Sequence, residues 1–195
     1  MDMFPLDGLD RRRPGIERRI DAGLPAEVGS VASLFISRLD AAVAGKVPAD
    51  LTNQLGIAIA GRTYAAYHAL LGTPRWQRIQ NAGARPQRLL WASTGTKDPH
   101  ASDVLYIKSL AAPYTVNTMP EATLNALADH GEIGAILAAD GGDCEAVLAR
   151  FAEAGVDVGA LAVKLPSDGA KSFVQSWEEL MGVIASKSES LRKTG

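Results

Sequence analysis

The sequence predicts an α/β fold of parallel β/α units, and three observations predict it. Short apolar runs rich in β-formers lie near residues 28–36, 87–93 and 114–118. Stretches with helical character separate them. Each run ends in a polar cluster, the second in Ser93-Thr94-Gly95-Thr96-Lys97 and the third in Asn117-Thr118-Met119-Pro120-Glu121. Strands that alternate with helices pair in parallel, and such folds place their ligand sites at the carboxyl ends of the strands.

Each element has its own reason. Residues 1–14 read as an irregular tail, because proline, glycine and mixed charge dominate. Residues 15–23, GIERRIDAG, read as a short helix closed by Gly23. Val28, Val31, Leu34, Phe35 and Ile36 form an apolar run, the pattern of a strand buried on both faces. Residues 39–81 are expected to be mostly helical. Leu55, Ile59, Thr63 and Ala66 share one face there, and Gly72-Thr73-Pro74 ends the longest piece. Residues 87–93 form the second strand, DVLYIKSL a short helix, and 114–118 the third strand. Pro120 and Glu121 suit the first turn of a helix that ends at Gly131. Residues 144–154, 157–165 and 171–192 are expected to be helices. In the last, Phe173, Trp177, Leu180, Met181 and Ile184 recur at spacings of three and four.

Composition bounds the function. The chain is long enough for one domain with a core, and its net charge of -2 argues against nucleic acid or an anionic membrane as partner. Its one cysteine, Cys144, excludes an intramolecular disulfide and fits a reducing, cytoplasmic setting. Cys144 opens a helix, so it reads either as a thiol activated by the helix N-terminus or as a half-buried residue beside Asp143 and Glu145, which raise its pKa. No apolar run approaches the ~18 residues of a membrane span. His68, His100 and His130 lack metal-ligand spacing, and the acidic loop 140–143 has too few ligands for calcium. Lys164 reads as a helix-end residue with its head in solvent. No nucleotide-binding glycine motif and no nucleophile elbow occurs.

Three clusters can carry chemistry. Ser33, Ser37 and Arg38 end the first strand, where an arginine fork and hydroxyls suit a phosphate. Arg38 can equally pair with Asp40 or cap a helix. Ser93 to Lys97 end the second, where Lys97 reads as a phosphate contact or a plain surface lysine. Its polar loop disfavours the desolvated amine that Schiff-base chemistry needs. At the third, Thr118 and Glu121 have the spacing of a capping box, and Asn117 and Thr118 can also donate to a ligand.

Taken together, SVASLFISRLD, QRLLWASTGTKDP and DVLYIKSLAAPYTVNTMPEATLNALADHG resemble the transaldolase family, in the branch sometimes fused to glucose-6-phosphate isomerase. The resemblance runs from about residue 15 to the C-terminus. It implies the C-terminal part of a (β/α)8 TIM barrel, strands six to eight with the helices that follow. It also implies transfer of a dihydroxyacetone unit between sugar phosphates through a lysine Schiff base, without metal or cofactor. Ser33 and Arg38 match the family's phosphate-binding serine and arginine of strand six. Ser93 and Lys97 match the phosphate-side cluster after strand seven. The Schiff-base lysine and the acid/base carboxylates of the family belong to earlier strands, and no lysine precedes Lys46 in this chain. The resemblance therefore implies that none of the catalytic groups lies here. It implies further that a half barrel with an open edge and face pairs with a complementing N-terminal half or with itself.

Overall fold

The computed structural model describes residues 6–194, with side chains from 13 to 192. The chain divides into two compact units, residues 1–157 and 158–195. The first unit opens with α1 (Leu6–Asp21). The expected irregular tail is thus helical from residue 6, and residues 1–5 lie outside the described residues. Pro14 sits inside this helix. A proline there forfeits one hydrogen bond at a cost of about 3 kcal/mol. Docking offsets it: Ile16 is buried in one cluster with Ala26, Trp76, Ile79 and Ala84. Glu17 also accepts two hydrogen bonds from Arg75, at 2.7 and 2.6 Å. Gly23 ends the helix as expected, with φ +68°. Its N–H bonds to the Ile20 carbonyl, and the Leu24 N–H to that of Arg19, so two terminal carbonyls find donors.

The sheet has three parallel strands in the order β1 (Val31–Phe35), β2 (Arg88–Ala92) and β3 (Thr115–Asn117). Ser33 pairs with Leu90, Leu34 with Trp91, and Trp91 with Asn117. Side chains alternate, so Leu34, Leu89 and Trp91 share one face, and all three are buried. The Trp91 indole donates to the Leu110 carbonyl at 3.0 Å, which satisfies its one polar atom. The other face departs from expectation. Val31 is 41% exposed and Phe35 37%, and Ser33 between them is also exposed. The run was read as buried on both faces, yet this side is left partly open to solvent.

Ile36 belongs to α2 (Ile36–Val43) rather than to the strand. The chain passes a single 3-10 turn, then α3 (Leu55–Leu71) and α4 (Pro74–Asn81). After β2 come α5 (Leu105–Ser109), β3 and α6 (Glu121–His130), then α7 (Cys144–Glu153). The bend between α2 and α3 is held by Asp40, which is 6% exposed. One carboxylate oxygen accepts from the Leu55 and Gly56 N–H groups at 2.9 and 3.2 Å. The other accepts from the Tyr106 hydroxyl at 2.8 Å. Asp40 is therefore the cap of α3, supplied from another helix, since the adjacent Gln54 makes no side-chain cap. Gly56 permits this approach. A Cβ there would lie 2.8 Å from the Asp40 Oδ2 and 2.8 Å from Ile36 Cγ2.

Cys144 is buried, and burial followed by the charge of Glu145 pushes its thiol up. The structural reading of this cysteine holds, and the activated one does not. The neighbouring Glu145 forms a fork with Arg62 of α3 at 2.6 and 2.5 Å.

The second unit is one helix, α8 (Val158–Thr194), where two were expected. Pro166 lies within it. One lost hydrogen bond does not stop a helix whose flanks, ALAVKL and SFVQSWEELM, are dominated by helix formers. Lys164 is consequently mid-helix and pairs with Asp168 at 3.4 Å. The expected apolar stripe is present but uncovered, with Phe173 66% and Trp177 61% exposed.

Two measurements test this packing. Asp40→Ala leaves two amides and a phenol without an acceptor and is expected to cost about 2–4 kcal/mol in denaturant unfolding. Asp40→Asn, which keeps one acceptor, costs less. Burial raises the Asp40 pKa despite its three donors. Its folded state therefore holds the proton more tightly than the unfolded chain. Relative to Asp40→Asn, the wild type is most stable below about pH 4 and loses that margin as pH rises through the folded pKa. Gly56→Ala, a favourable change in an ordinary helix, is expected to lower the melting temperature.

Candidate functional site

The carboxyl ends of the three strands are cross-tied by side chains. At the end of β1, the buried Ser37 Oγ lies 2.8 Å from Ser93 Oγ. The Ser37 N–H donates to the Ser93 carbonyl at 3.1 Å. Beyond β2, Thr94 is fully buried, and its hydroxyl lies 2.8 Å from Asn117 Oδ1 and 2.9 Å from the Thr118 carbonyl oxygen. The Thr118 N–H and hydroxyl both donate to the Trp91 carbonyl, at 2.9 and 3.3 Å. Backbone ladders align strands along their length, and these bonds fix the loops where the ladder stops.

The third cluster is corrected by this arrangement. Thr118 was read as the cap of a capping box, but its hydroxyl is committed to Trp91. Pro120 stands at the N-cap of α6, without a side-chain cap bond. Proline has no N–H to satisfy, and Glu121 still places its charge in the first helical turn.

The first two clusters are brought together only in part. Ser33 is exposed on the open sheet face, on the same side as Phe35. Arg38 lies at the start of α2 with its guanidinium carbon 4.3 Å from the Phe35 ring centroid. A cation–π contact of this kind holds the side chain and consumes none of its five N–H donors. The reading of Arg38 as a partner of Asp40 fails, because Asp40 is engaged by Leu55, Gly56 and Tyr106. Ser93 is half-buried beside Ser37, with φ +55°. Ser33, Phe35 and Arg38 thus mark the inner side of β1, and Ser93 follows β2 next to it.

Lys97 is exposed and lines a pocket of about 330 Å3 with Ser37, Asp40, Asn53, Asp98 and Tyr106. Ser33, Arg38 and Ser93 do not line it. Asn53 donates to Asp98 at 2.8 Å, and the His100 N–H does so at 2.9 Å. These donors, led by the His100 amide, hold the Asp98 carboxyl below its usual range. An ionised Asp98 offsets the charge of Lys97, so this pocket alone is a poor anion trap. Among the four candidate residues, Ser33, Arg38 and Ser93 carry the anion reading better than Lys97.

Sequence reasoning missed the parts played by Asp40, Thr94 and Tyr106. Asp40 was noted only as a partner for Arg38. A buried role for it had one signal, the lone acid two residues after a basic residue at a strand end, and that signal is weak. Among the described residues no group of three or more histidines, cysteines or carboxylates could hold a metal. None of the described helices is long and apolar enough to cross a membrane.

Comparison with known proteins identifies the family of the chain. Residues 17–184 match the family described as Transaldolase/Fructose-6-phosphate aldolase. A transaldolase of Parafrankia sp. (strain EAN1pec) is 43% identical over 185 residues, covering 90% of this chain and 50% of that protein. One of Mycolicibacterium paratuberculosis is 43% identical over 183 residues, 89% of this chain and 49% of the other. One of Neisseria meningitidis is 41% identical over 171 residues, with coverages of 87% and 49%. The chain spans about half the length of the curated relatives it matches. Three parallel strands with helices between them are part of a β/α barrel, and the chain belongs to the transaldolase/fructose-6-phosphate aldolase family.

Proposed function

We propose that this chain supplies the phosphate-binding half of a transaldolase, an enzyme that moves a dihydroxyacetone unit between sugar phosphates. In this reading sedoheptulose 7-phosphate and glyceraldehyde 3-phosphate give erythrose 4-phosphate and fructose 6-phosphate. The observation that carries it is the Arg38 guanidinium, held over Phe35 with no hydrogen bond to its N–H donors among the described residues, while Ser33 lies two residues before Phe35 on the open face of β1. Arg38 would grip two phosphate oxygens in a fork, and the Ser33 and Ser93 hydroxyls would donate to the same group. Lys97 would add charge from the rim. The phosphate anchors the substrate at one end and sets the distance to the reacting carbonyl.

The covalent step is assigned elsewhere. A Schiff-base lysine needs a depressed pKa, hence a desolvated amine among apolar groups. Lys46, Lys97 and Lys164 do not meet that need. Lys46 donates to the Ala42 carbonyl on the surface, Lys97 is exposed, and Lys164 is ion-paired in solvent. We infer that the nucleophile and the acid/base carboxylates come from the other half of the barrel. The open face of Val31 and Phe35, and the free edges of β1 and β3, are where that half would pair.

Two outcomes follow. Borohydride added to the chain with fructose 6-phosphate is expected to leave every lysine unmodified by mass spectrometry. A reduced adduct on any lysine of this chain contradicts the missing nucleophile. In size-exclusion chromatography the chain alone is expected to elute above its monomer mass or to be lost to aggregation. A compact monomer that melts cooperatively contradicts the need for a complementing surface.

A further inference from the structure

The pair Ser37–Ser93 has a role that neither residue has alone. Ser93 adopts φ +55°, in the left-handed region that L-residues rarely occupy. Such a backbone persists only where neighbours over-determine it. Ser37 provides two restraints from one residue, the hydroxyl contact at 2.8 Å and the N–H to the Ser93 carbonyl at 3.1 Å. Ser37 itself is 2% exposed, and its hydroxyl is engaged with that of Ser93. Ser93 is half-buried, so its hydroxyl can be.

We propose that Ser37 is a positioning residue for anion binding, which holds Ser93 left-handed and turns its hydroxyl proton toward the ligand. This rests on the phosphate-binding reading above. The chemistry is a matter of one proton and two lone pairs. When Ser37 donates to Ser93 Oγ, the Ser93 proton is free to donate outward. When Ser93 donates to Ser37, the ligand faces a lone pair instead. An anion selects the first arrangement, and only a hydroxyl at position 37 can both donate to Ser93 and be buried beneath it. Ser37→Ala removes that donor while its backbone N–H bond remains.

The test is solution NMR of the isotope-labelled chain, wild type and Ser37→Ala, titrated with inorganic phosphate. The expected result has two parts. The Ser93 Cα and Cβ shifts leave the left-handed range in Ser37→Ala, and phosphate binds about five- to tenfold more weakly. A lower melting temperature with unchanged Ser93 shifts and unchanged affinity makes Ser37 merely structural and overturns the proposal. A wild-type chain whose strand-end amides ignore phosphate overturns the phosphate reading, and the Ser93 shifts still decide whether Ser37 sets that backbone. Should Ser37→Ala fail to fold, the pair is examined on Ser93→Gly, where glycine takes φ +55° without strain. There, adding Ser37→Ala is expected to weaken phosphate no further. An additional loss contradicts action through Ser93.

Discussion

The carboxylate of Asp40 is the interaction on which the arrangement of the strand ends depends. Three elements converge on it: α2 carries it, the first two amides of α3 and the hydroxyl of Tyr106 in α5 bond to it, and the missing side chain of Gly56 makes room for it. Burying a carboxylate is costly unless its lone pairs are used, and here both oxygens are engaged. The bend from α2 to α3 is thereby set. The helix that carries Asp40 also sets Ser37 against Ser93 and Arg38 over Phe35. The arginine proposed to bind the anion is two residues away from an acid whose two oxygens are both used to hold the fold.

A second constraint comes from the sheet. Its buried face is an ordinary apolar layer closed by Trp91, whose indole finds the Leu110 carbonyl. Its other face shows Val31, Ser33 and Phe35, a mixture of two apolar side chains and one hydroxyl. In a closed barrel such a face lines the interior, where apolar bulk and a few polar groups together make a ligand site. The exposed face of Val31, Ser33 and Phe35 is what the proposed pairing would convert into a substrate pocket.

Much of this was legible in the sequence, for reasons that differ by element. Strand positions and the parallel order followed from β-rich runs alternating with helices, and all three strands fall inside the expected ranges. Gly23 as a helix stop was readable because its φ is one that other residues avoid. Two expected breaks failed in the same direction. The tail expected over residues 1–14 and the gap expected between residues 165 and 171 contain Pro14 and Pro166, and both prolines lie inside helices, since one lost hydrogen bond weighs less than flanking propensity or docking. The open face of β1 was invisible to the local pattern, because a run of apolar residues says that burial is wanted and not what provides it. At the site, residue types at the strand ends raised Ser33, Arg38, Ser93 and Lys97 as candidates, and family resemblance gave them their roles. Their spacing alone did not separate ligand contacts from surface groups. The tertiary acceptor Asp40 and the buried hydroxyl of Thr94 escaped because their partners lie 15 or more residues away in sequence.

The central claim is that the ends of β1 and β2 hold an oxyanion through Arg38. The most direct measurement is the melting temperature of the chain against inorganic phosphate concentration, for the wild type and Arg38→Ala. Binding to the folded state alone raises the melting temperature with ligand concentration. The account predicts a rise for the wild type that is lost in Arg38→Ala, with little change between the two proteins in phosphate-free buffer. An identical response of both proteins to phosphate, or none in the wild type, would contradict it.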